Sequence, residues 1–227
     1  MTHGTLSLVA TPIGNLGDIT LRALETLKAA DAIACEDTRV TSRLLARYEI
    51  SKPLVIYNPE DARQGGSRVL ALLTEGKRVA LVTDAGTPGI SDPGAELVAL
   101  VRDTLPEVVV EAIPGPAAFV AALSIAGLPI ASFVYLGFLP NKKGRQTLFK
   151  EIAAETRTVV FYESPHRIEK ALASLAEVLA PSRRIAIARE LTKVHEELVR
   201  GTVAEVQAHF IAHPDAIRGE FVVIVAP

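Results

Sequence analysis

The first half of the chain alternates continuous apolar runs with segments of helical periodicity. The runs are apolar at successive positions, which is the pattern of strands buried on both faces of a parallel sheet. Strands are predicted at Leu6–Ala10, Ala32–Cys35, Leu54–Tyr57, Arg78–Thr83 and Val108–Ile113. Helices are predicted between them at Thr20–Ala30, Thr38–Arg47, Ser67–Glu75 and Ala95–Arg102. This order predicts an α/β domain with a mainly parallel sheet.

A second α/β unit follows the Pro114-Gly115-Pro116 sequence, which interrupts both strands and helices. Its predicted strands are Phe133–Gly137, Thr158–Tyr162, Ile185–Arg189, Leu198–Val203 and Phe221–Val225. Its predicted helices are Ala117–Ala126, Arg145–Ala154, Ile168–Leu179 and Val203–Ala212. We therefore expect two α/β domains, residues 1–114 and 115–227, with a mixed sheet in the second and a cleft between them.

The loop after the fourth predicted strand, residues 84–94, contains three glycines and two prolines in eleven residues. This composition gives a rigid backbone that a ligand can approach closely. Open α/β sheets bind ligands at this position, beyond the carboxyl end of a strand. The loop has no Lys or Arg, so it favours a neutral or zwitterionic ligand held mostly by main-chain groups. A simple connection is the other interpretation, although that needs only a few residues.

Other distinctive loops also follow predicted strands. Thr11–Asn15 follows the first strand, Glu36–Arg39 the second and Pro114–Ala118 the fifth, while Tyr162–Arg167 and Glu190–Lys193 follow strands of the second unit. Because the carboxyl ends of parallel strands share one edge, loops of the same unit meet there. Their number indicates a binding site rather than a purely structural requirement.

Composition narrows the class of protein. The net charge of −2 lacks the basic excess of a typical nucleic-acid binder, so contact with RNA needs local patches such as Lys142, Lys143 and Arg145. Such a patch is also compatible with an ordinary solvated surface. The single cysteine, Cys35, excludes an internal disulfide and favours a reducing cytoplasm, and no secretion leader is recognised.

The uncharged stretch 112–141 is long enough to cross a bilayer, but prolines and glycines divide it into short pieces. We expect it to form a buried helix and a strand, with no membrane association. The chain has neither a G-x-G-x-x-G nor a Walker A sequence after a strand, and no Cys/His zinc spacing, so no metal is expected.

Glu36, Asp37 and Arg39 combine two acids and a cation at a predicted strand end. Such a group can orient a hydroxyl or accept its proton. The alternative is local: Asp37 or Thr38 caps the next helix and Arg39 pairs with a neighbour. Both interpretations stay open for Asp37, whereas Glu36 and Arg39 favour the functional one.

The order of these motifs resembles the ribosomal RNA small subunit methyltransferase I family of the tetrapyrrole methylase superfamily. The resemblance covers nearly the whole chain. It is carried by Thr11–Thr20, Glu36–Thr41, Asp84–Pro88, Pro114–Pro116, Gly137–Pro140, Phe161–Ser164 with His166 and Arg167, Ala188–Lys193 and Gly219–Val225.

The resemblance implies a two-domain tetrapyrrole-methylase-like fold with S-adenosylmethionine bound in the cleft. It implies a homodimer that methylates the ribose 2′-oxygen of a cytidine in small-subunit ribosomal RNA, on the RNA or the ribosomal subunit. The positions that match cofactor-lining residues are Pro12, Ala85, Gly86, Thr87, Ile90, Ala117, Ala118, Tyr162, and less securely Leu191 and Phe221.

On this reading Glu36 or Asp37 accepts the proton of the ribose hydroxyl, and Arg39 holds the neighbouring phosphate. Lys193 is an alternative base if burial lowers its pKa. A methyltransferase acting on a tetrapyrrole is the first rival, and a non-catalytic module that senses S-adenosylmethionine is the second.

Two departures from the family pattern affect substrate choice. Residues 57–63 replace a loop that many members have rich in His, Asn and Glu. Some members also extend beyond the last strand, whereas this sequence stops at Pro227, so we expect an extra RNA-binding tail to be missing. RNA affinity would then depend on few phosphate contacts and on both subunits of a dimer.

Overall fold

The computed structural model describes residues 4–58 and 62–227, and the chain separates into two units, 1–117 and 118–227. The first unit has a five-stranded sheet in the order β3-β2-β4-β1-β5, with every neighbouring pair parallel. This confirms the parallel sheet that the apolar runs predict. The strands are β1 (Thr5–Val9), β2 (Ala32–Cys35), β3 (Leu54–Ile56), β4 (Arg78–Leu81) and β5 (Val109–Ile113).

Four helices cover the two faces of this sheet: α1 (Leu21–Ala29), α2 (Thr38–Arg47), α3 (Ala62–Thr74) and α4 (Gly94–Thr104). A short 3₁₀ turn, Leu16–Asp18, precedes α1. On one face, Leu27 of α1 and Leu45 of α2 pack with Ile33. On the other, Leu73 of α3 and Leu97 of α4 pack with Leu6. Burial of strands on both faces explains why their sequences do not alternate.

Helix α3 begins at Ala62, five residues before the predicted start at Ser67. The predicted start was wrong, because the helix also includes Gly65 and Gly66. A Cβ at Gly65 would lie 2.3 Å from the carbonyl oxygen of Ile56, so glycine permits the helix to approach the end of β3. Tyr57 is only 3% exposed, and residues 59–61 of the atypical 57–63 segment lie outside the described residues.

Gly65→Ala reverses the usual effect of this substitution in a helix. Alanine normally gains about 0.5–1 kcal/mol over glycine there. At Gly65 the added methyl meets backbone, and we expect a net loss of about 1–3 kcal/mol in the free energy of unfolding, measured by urea denaturation. Gly66→Ala is the control because its Cβ would meet the movable Leu100 Cδ2, at 2.9 Å. Equal stabilities for the two variants would contradict this account.

The second unit has the predicted mixed sheet, and its strand order is β6-β7-β10-β8-β9. Only β6 and β7 run parallel, and the other three pairs are antiparallel. The strands are β6 (Phe133–Phe138), β7 (Thr158–Glu163), β8 (Arg184–Arg189), β9 (Glu197–Thr202) and β10 (Phe221–Val225).

The second unit also contains α5 (Ala118–Ala126), α6 (Arg145–Ala154), α7 (Ile168–Val178) and α8 (Val203–Ala212), with a 3₁₀ turn at Pro214–Ala216. Phe149, Phe161 and Phe221 are fully buried in its core. Helix α8 begins at a capping box in which Thr202 and Glu205 satisfy each other's main-chain N–H groups.

The uncharged stretch 112–141 forms the end of β5, the short helix α5 and strand β6. No helix in the described part of the chain is long and apolar enough to cross a membrane.

Candidate active site

Three loops of the first unit are tied together at the carboxyl ends of the adjacent strands β4, β1 and β5. Thr11 and Gly86 exchange two main-chain hydrogen bonds, of 2.9 and 3.0 Å. The Thr11 hydroxyl donates to the carbonyl of Thr83 at 3.0 Å. The Thr87 hydroxyl donates to the carbonyl of Pro116, also at 3.0 Å. These contacts bring together the segments that contain Pro12, Ala85, Gly86, Thr87 and Ala117, at the edge where such sheets bind ligands.

Asp92 holds the second half of the 84–94 loop. Its Oδ1 accepts the N–H groups of Gly89 and Gly94 at 2.9 and 2.7 Å, and its Oδ2 accepts that of Ile90 at 3.2 Å. One carboxylate therefore satisfies three main-chain donors in a turn where Ser91 has a positive φ of 62°. Sequence analysis missed this role, although the spacing Gly89-x-x-Asp92-x-Gly94 is typical of a side chain capping its own loop.

The Ile90 amide also donates to the Thr87 carbonyl at 3.3 Å, so Asp92→Ala should release only the amides of Gly89 and Gly94 to solvent. We expect their hydrogen exchange to accelerate by at least about tenfold, since a net hydrogen bond to a charged group is worth about 1.5–3 kcal/mol. Asp103→Ala is the control, because it removes an exposed carboxylate from α4, the helix that follows the loop. The interpretation fails if the amides of Gly89 and Gly94 exchange equally fast in both variants.

Glu36 lies directly after β2, with its carboxylate beside the end of β4. The Thr83 hydroxyl donates to its Oε1 at 3.1 Å. Partial burial raises the pKa of Glu36 above its ordinary value of 4.5, and repulsion from Asp84 and Asp92 adds to this rise, while the Thr83 hydrogen bond opposes it. A half-buried carboxylate with a raised pKa is suited to accept a proton.

Asp37 adopts the local role that sequence analysis kept as an alternative. It is the N-cap of α2 and accepts the Arg39 main-chain N–H at 2.8 Å. Its carboxylate also binds the Arg39 guanidinium, with a closest N–O distance of 2.6 Å. Hydrogen bonds from Arg39 lower the pKa of Asp37 to about 2, which makes it a weak proton acceptor. The Arg39 side chain is 85% exposed, so its proposed contact with a phosphate stays a prediction.

Tyr162 of β7 is linked to the start of α5, where Ala118 is the first residue. Its hydroxyl oxygen accepts the Phe119 main-chain N–H at 3.2 Å. Its ring packs against those of Tyr135 and Phe138, with centroids 5.5 and 5.2 Å away. Burial, with a smaller contribution from Tyr135, raises the pKa of Tyr162 far above its ordinary value. The phenol therefore stays protonated and serves as a hydrogen-bonding group rather than a base.

Lys193 was an alternative base only if burial lowered its pKa, and the structure does not provide this. Its Nζ lies 2.8 Å from Glu190 Oε1 and 3.0 Å from Glu220 Oε2. Partial burial acts to lower the pKa of Lys193, but the bonds to Glu190 and Glu220 outweigh it and the pKa is raised. Glu190 Oε1 also accepts the Glu220 main-chain N–H at 3.1 Å, so Lys193 completes a structural cluster.

The two less secure cofactor positions are both buried. Leu191 is 7% exposed. Phe221 is 1% exposed and packs edge-on against Phe210, with centroids 6.1 Å apart. The structure thus places the side chain of Phe221 in the core of the second unit. Only the main chain of Phe221 could then contribute to binding the cofactor.

Glu163 is the second residue whose role sequence analysis missed. Its side chain is fully buried at the end of β7 and binds two arginines, Arg145 at 2.6 Å and Arg167 at 2.7 Å. The side chains of these arginines are only 13% and 25% exposed. Arg145, grouped with Lys142 and Lys143 as a basic patch, is therefore an internal partner of Glu163. The Glu163-x-x-x-Arg167 spacing was visible, but the distant partner Arg145 was not.

Comparison with known proteins decides the family. Residues 5–207 match the model for tetrapyrrole (corrin/porphyrin) methylases. A protein of Mesorhizobium japonicum named ribosomal RNA small subunit methyltransferase I is 49% identical over 223 residues, covering 98% of this chain and 75% of the relative. The chain belongs to the ribosomal RNA small subunit methyltransferase I family. A member from Thermotoga maritima is 46% identical over 91% of this chain and 92% of its own length.

Solved structures agree with this membership at the level of the fold. The methyltransferase CobJ matches with a TM-score of 0.72 and 22% identity, over 98% of this chain and 94% of that one. The uroporphyrin-III-C-methyltransferase of Thermus thermophilus matches with a TM-score of 0.69 and 21% identity, over 99% and 94%. The tetrapyrrole-methylase-like fold expected from the motifs is therefore confirmed.

Proposed function

We propose that the protein is an S-adenosylmethionine-dependent methyltransferase of small-subunit ribosomal RNA that methylates the ribose 2′-oxygen of a cytidine. The observation that carries this proposal is an identity of 46–49% with ribosomal RNA small subunit methyltransferases I over nearly the whole chain. The similarity covers 98% of this chain in each of these three relatives, so the aligned part includes both units.

The residues at the edge of the first sheet fit the proposed cofactor. Residues 85–90 carry no charged side chain, which suits a zwitterionic nucleoside better than a phosphate. Within the described residues the main-chain N–H groups of Ala85 and Thr87 have no hydrogen-bond partner, so they remain available to a ligand. Pro12, Ala85, Gly86, Thr87, Ile90 and Ala117 of the first unit, and Ala118, Tyr162, Leu191 and Phe221 of the second, are the proposed cofactor residues.

When bound, S-adenosylmethionine supplies an electrophilic methyl carbon attached to a sulfonium. The chain must then position a ribose hydroxyl and remove its proton. Glu36 is the proposed acceptor of that proton, since its carboxylate is half-buried with a raised pKa. Asp37 and Arg39 shape the start of α2, which directly follows Glu36. Residues 85–90 add no charged side chain to the site, and a less polar site favours a reaction in which positive charge is lost.

A homodimer, which the family resemblance implies, and a cytoplasmic location, which the single cysteine Cys35 favours, are part of this proposal. Small-angle X-ray scattering or light scattering would measure the mass in solution. A monomer that is fully active on RNA would remove the dimer from the account without affecting the chemistry.

Methylation of a tetrapyrrole is the second candidate function, because the solved structures with a similar fold include tetrapyrrole methyltransferases. Their identities of 18–22% support a shared fold only. A competition assay separates the two. Tritiated S-adenosylmethionine is offered with small ribosomal subunits from a strain lacking the modification, or with uroporphyrinogen III. We expect label in the RNA and none in the tetrapyrrole. The opposite distribution would overturn the proposal, and tight cofactor binding without transfer to either would indicate a sensor module.

A further inference from the structure

The first half of the loop 139–144 between β6 and α6, residues 139–141, is held by the two arginines that Glu163 binds. Arg167 Nη1 donates to the carbonyl of Leu139 at 3.1 Å and to the side chain of Asn141. Arg145 Nη1 donates to the carbonyl of Pro140 at 3.2 Å. A buried carboxylate thus fixes the path of three consecutive loop residues, which is more support than a simple connection needs.

Lys142 and Lys143 directly follow the residues held by the arginines. Both are exposed, and neither forms an ion pair with any residue in the described part of the chain. Because residues 139–141 are already held, a ligand that binds the lysines has less of the loop to order. Two adjacent cations beside a fixed segment suit neighbouring phosphates of one strand.

An exposed aromatic ring precedes the lysines. Phe138 is 58% exposed, and its ring lies 5.2 Å from that of Tyr162. The pairing of β6 with β7 is irregular between Tyr135 and Phe138, where Gly137 has a φ of 61°. Bulges of this kind change the direction of a side chain at a strand end. The irregularity therefore presents Phe138 as a ring with one side supported and much of its surface open.

We propose that Phe138, Lys142 and Lys143 form a contact surface for single-stranded RNA, the 138–143 surface. The lysines bind phosphates and the ring of Phe138 stacks on a base, which is how proteins hold single strands without reading sequence. An acidic protein could form ion pairs with the lysines, but it has no bases to stack on the exposed ring of Phe138. This inference rests on the proposed function and names the part of the chain that holds its RNA substrate.

The test measures binding of the whole protein to a fluorescent single-stranded fragment of small-subunit RNA and to intact small subunits, across a salt series. The variant Lys142→Gln/Lys143→Gln should bind the RNA fragment about tenfold more weakly at moderate salt. Its log–log salt slope should be shallower by about 1.4. Phe138→Leu should weaken binding about tenfold with the slope unchanged, because stacking releases no counterions.

The matched control is Lys28→Gln/Lys77→Gln, which removes the same charge from exposed positions beside the amino ends of β2 and β4. It should leave affinity and slope close to those of the wild type. Wild-type binding with no difference between the two double variants would overturn the 138–143 surface. A loss on intact subunits but not on RNA would also overturn it and indicate a ribosomal protein as the partner. Wild-type protein that binds neither ligand would instead count against the proposed function.

Discussion

Glu36→Gln is expected to reduce the rate of methyl transfer by about 10²–10⁴-fold while leaving the protein folded. This is the range for removing a positioned proton acceptor. Glutamine keeps the size of the side chain and can still accept the Thr83 hydrogen bond, so the loss is one of proton-accepting capacity. Single-turnover rates with saturating S-adenosylmethionine measure the effect, and calorimetry of cofactor binding should show little change.

The pH dependence supplies an independent check on Glu36. Only the ionised carboxylate can accept a proton, and its pKa lies above the ordinary value because of burial and neighbouring acids. The wild-type rate should therefore fall as pH is lowered through this raised pKa, and the low rate of Glu36→Gln should lack that dependence. The same shift disfavours the charged form in the folded state, so Glu36 contributes less to stability as pH rises through its pKa.

Asp37→Asn is the matched control, an acid-to-amide change at the adjacent residue. Asparagine caps helices about as well as aspartate, so α2 should keep its start. Because the pKa of Asp37 is already lowered to about 2, it contributes little as a base, and we expect a rate within a few-fold of the wild type. A large loss in Asp37→Asn with a small one in Glu36→Gln would exchange the roles assigned to these residues.

Glu163→Gln is expected to lower the free energy of unfolding by about 3–5 kcal/mol, the largest stability effect in this account. The substitution leaves Arg145 and Arg167 without their shared counter-charge in a largely buried place, and removing one partner of a buried pair costs about this much. Urea denaturation followed by circular dichroism measures it. The loop 139–144 should lose order as well, visible as faster hydrogen exchange.

Glu155→Gln provides the comparison for Glu163. Glu155 also binds an arginine, Arg157, at 2.8 Å, but that arginine's side chain is 51% exposed. Exposed pairs contribute little because water and salt screen them. We expect this variant to lose only a small fraction of what Glu163→Gln loses. Similar losses would mean that Glu163 acts like any surface acid.

The sheets could be predicted from sequence because burial on both faces leaves a direct trace in continuous apolar runs. The loops 11–15, 84–94 and 114–118 were also recognisable, since glycine and proline mark them and parallel strands end at one edge. The start of α3 could not be predicted, because Gly65 is explained only by the approach of Ile56 from elsewhere in the chain.

Some ion pairs were hidden in the same way, because at least one of their partners is distant in sequence. Arg145 was interpreted as part of a basic patch, whereas in the structure it forms an ion pair with Glu163. Lys193 was interpreted as a possible base, whereas in the structure its bonds to Glu190 and Glu220 raise its pKa. In both cases the sequence shows that a cation is present but not that an acid already pairs with it. That pairing depends on neighbours in three dimensions.

The most direct test of the central claim is to identify the methylated nucleoside. Small subunits lacking the modification are incubated with the protein and S-adenosylmethionine, and their RNA is digested to nucleosides and analysed by mass spectrometry. The account predicts one 2′-O-methylcytidine per subunit, formed by the wild type and nearly absent with Glu36→Gln. A methyl group on a base, or RNA that stays unmodified while the cofactor is bound, would contradict it.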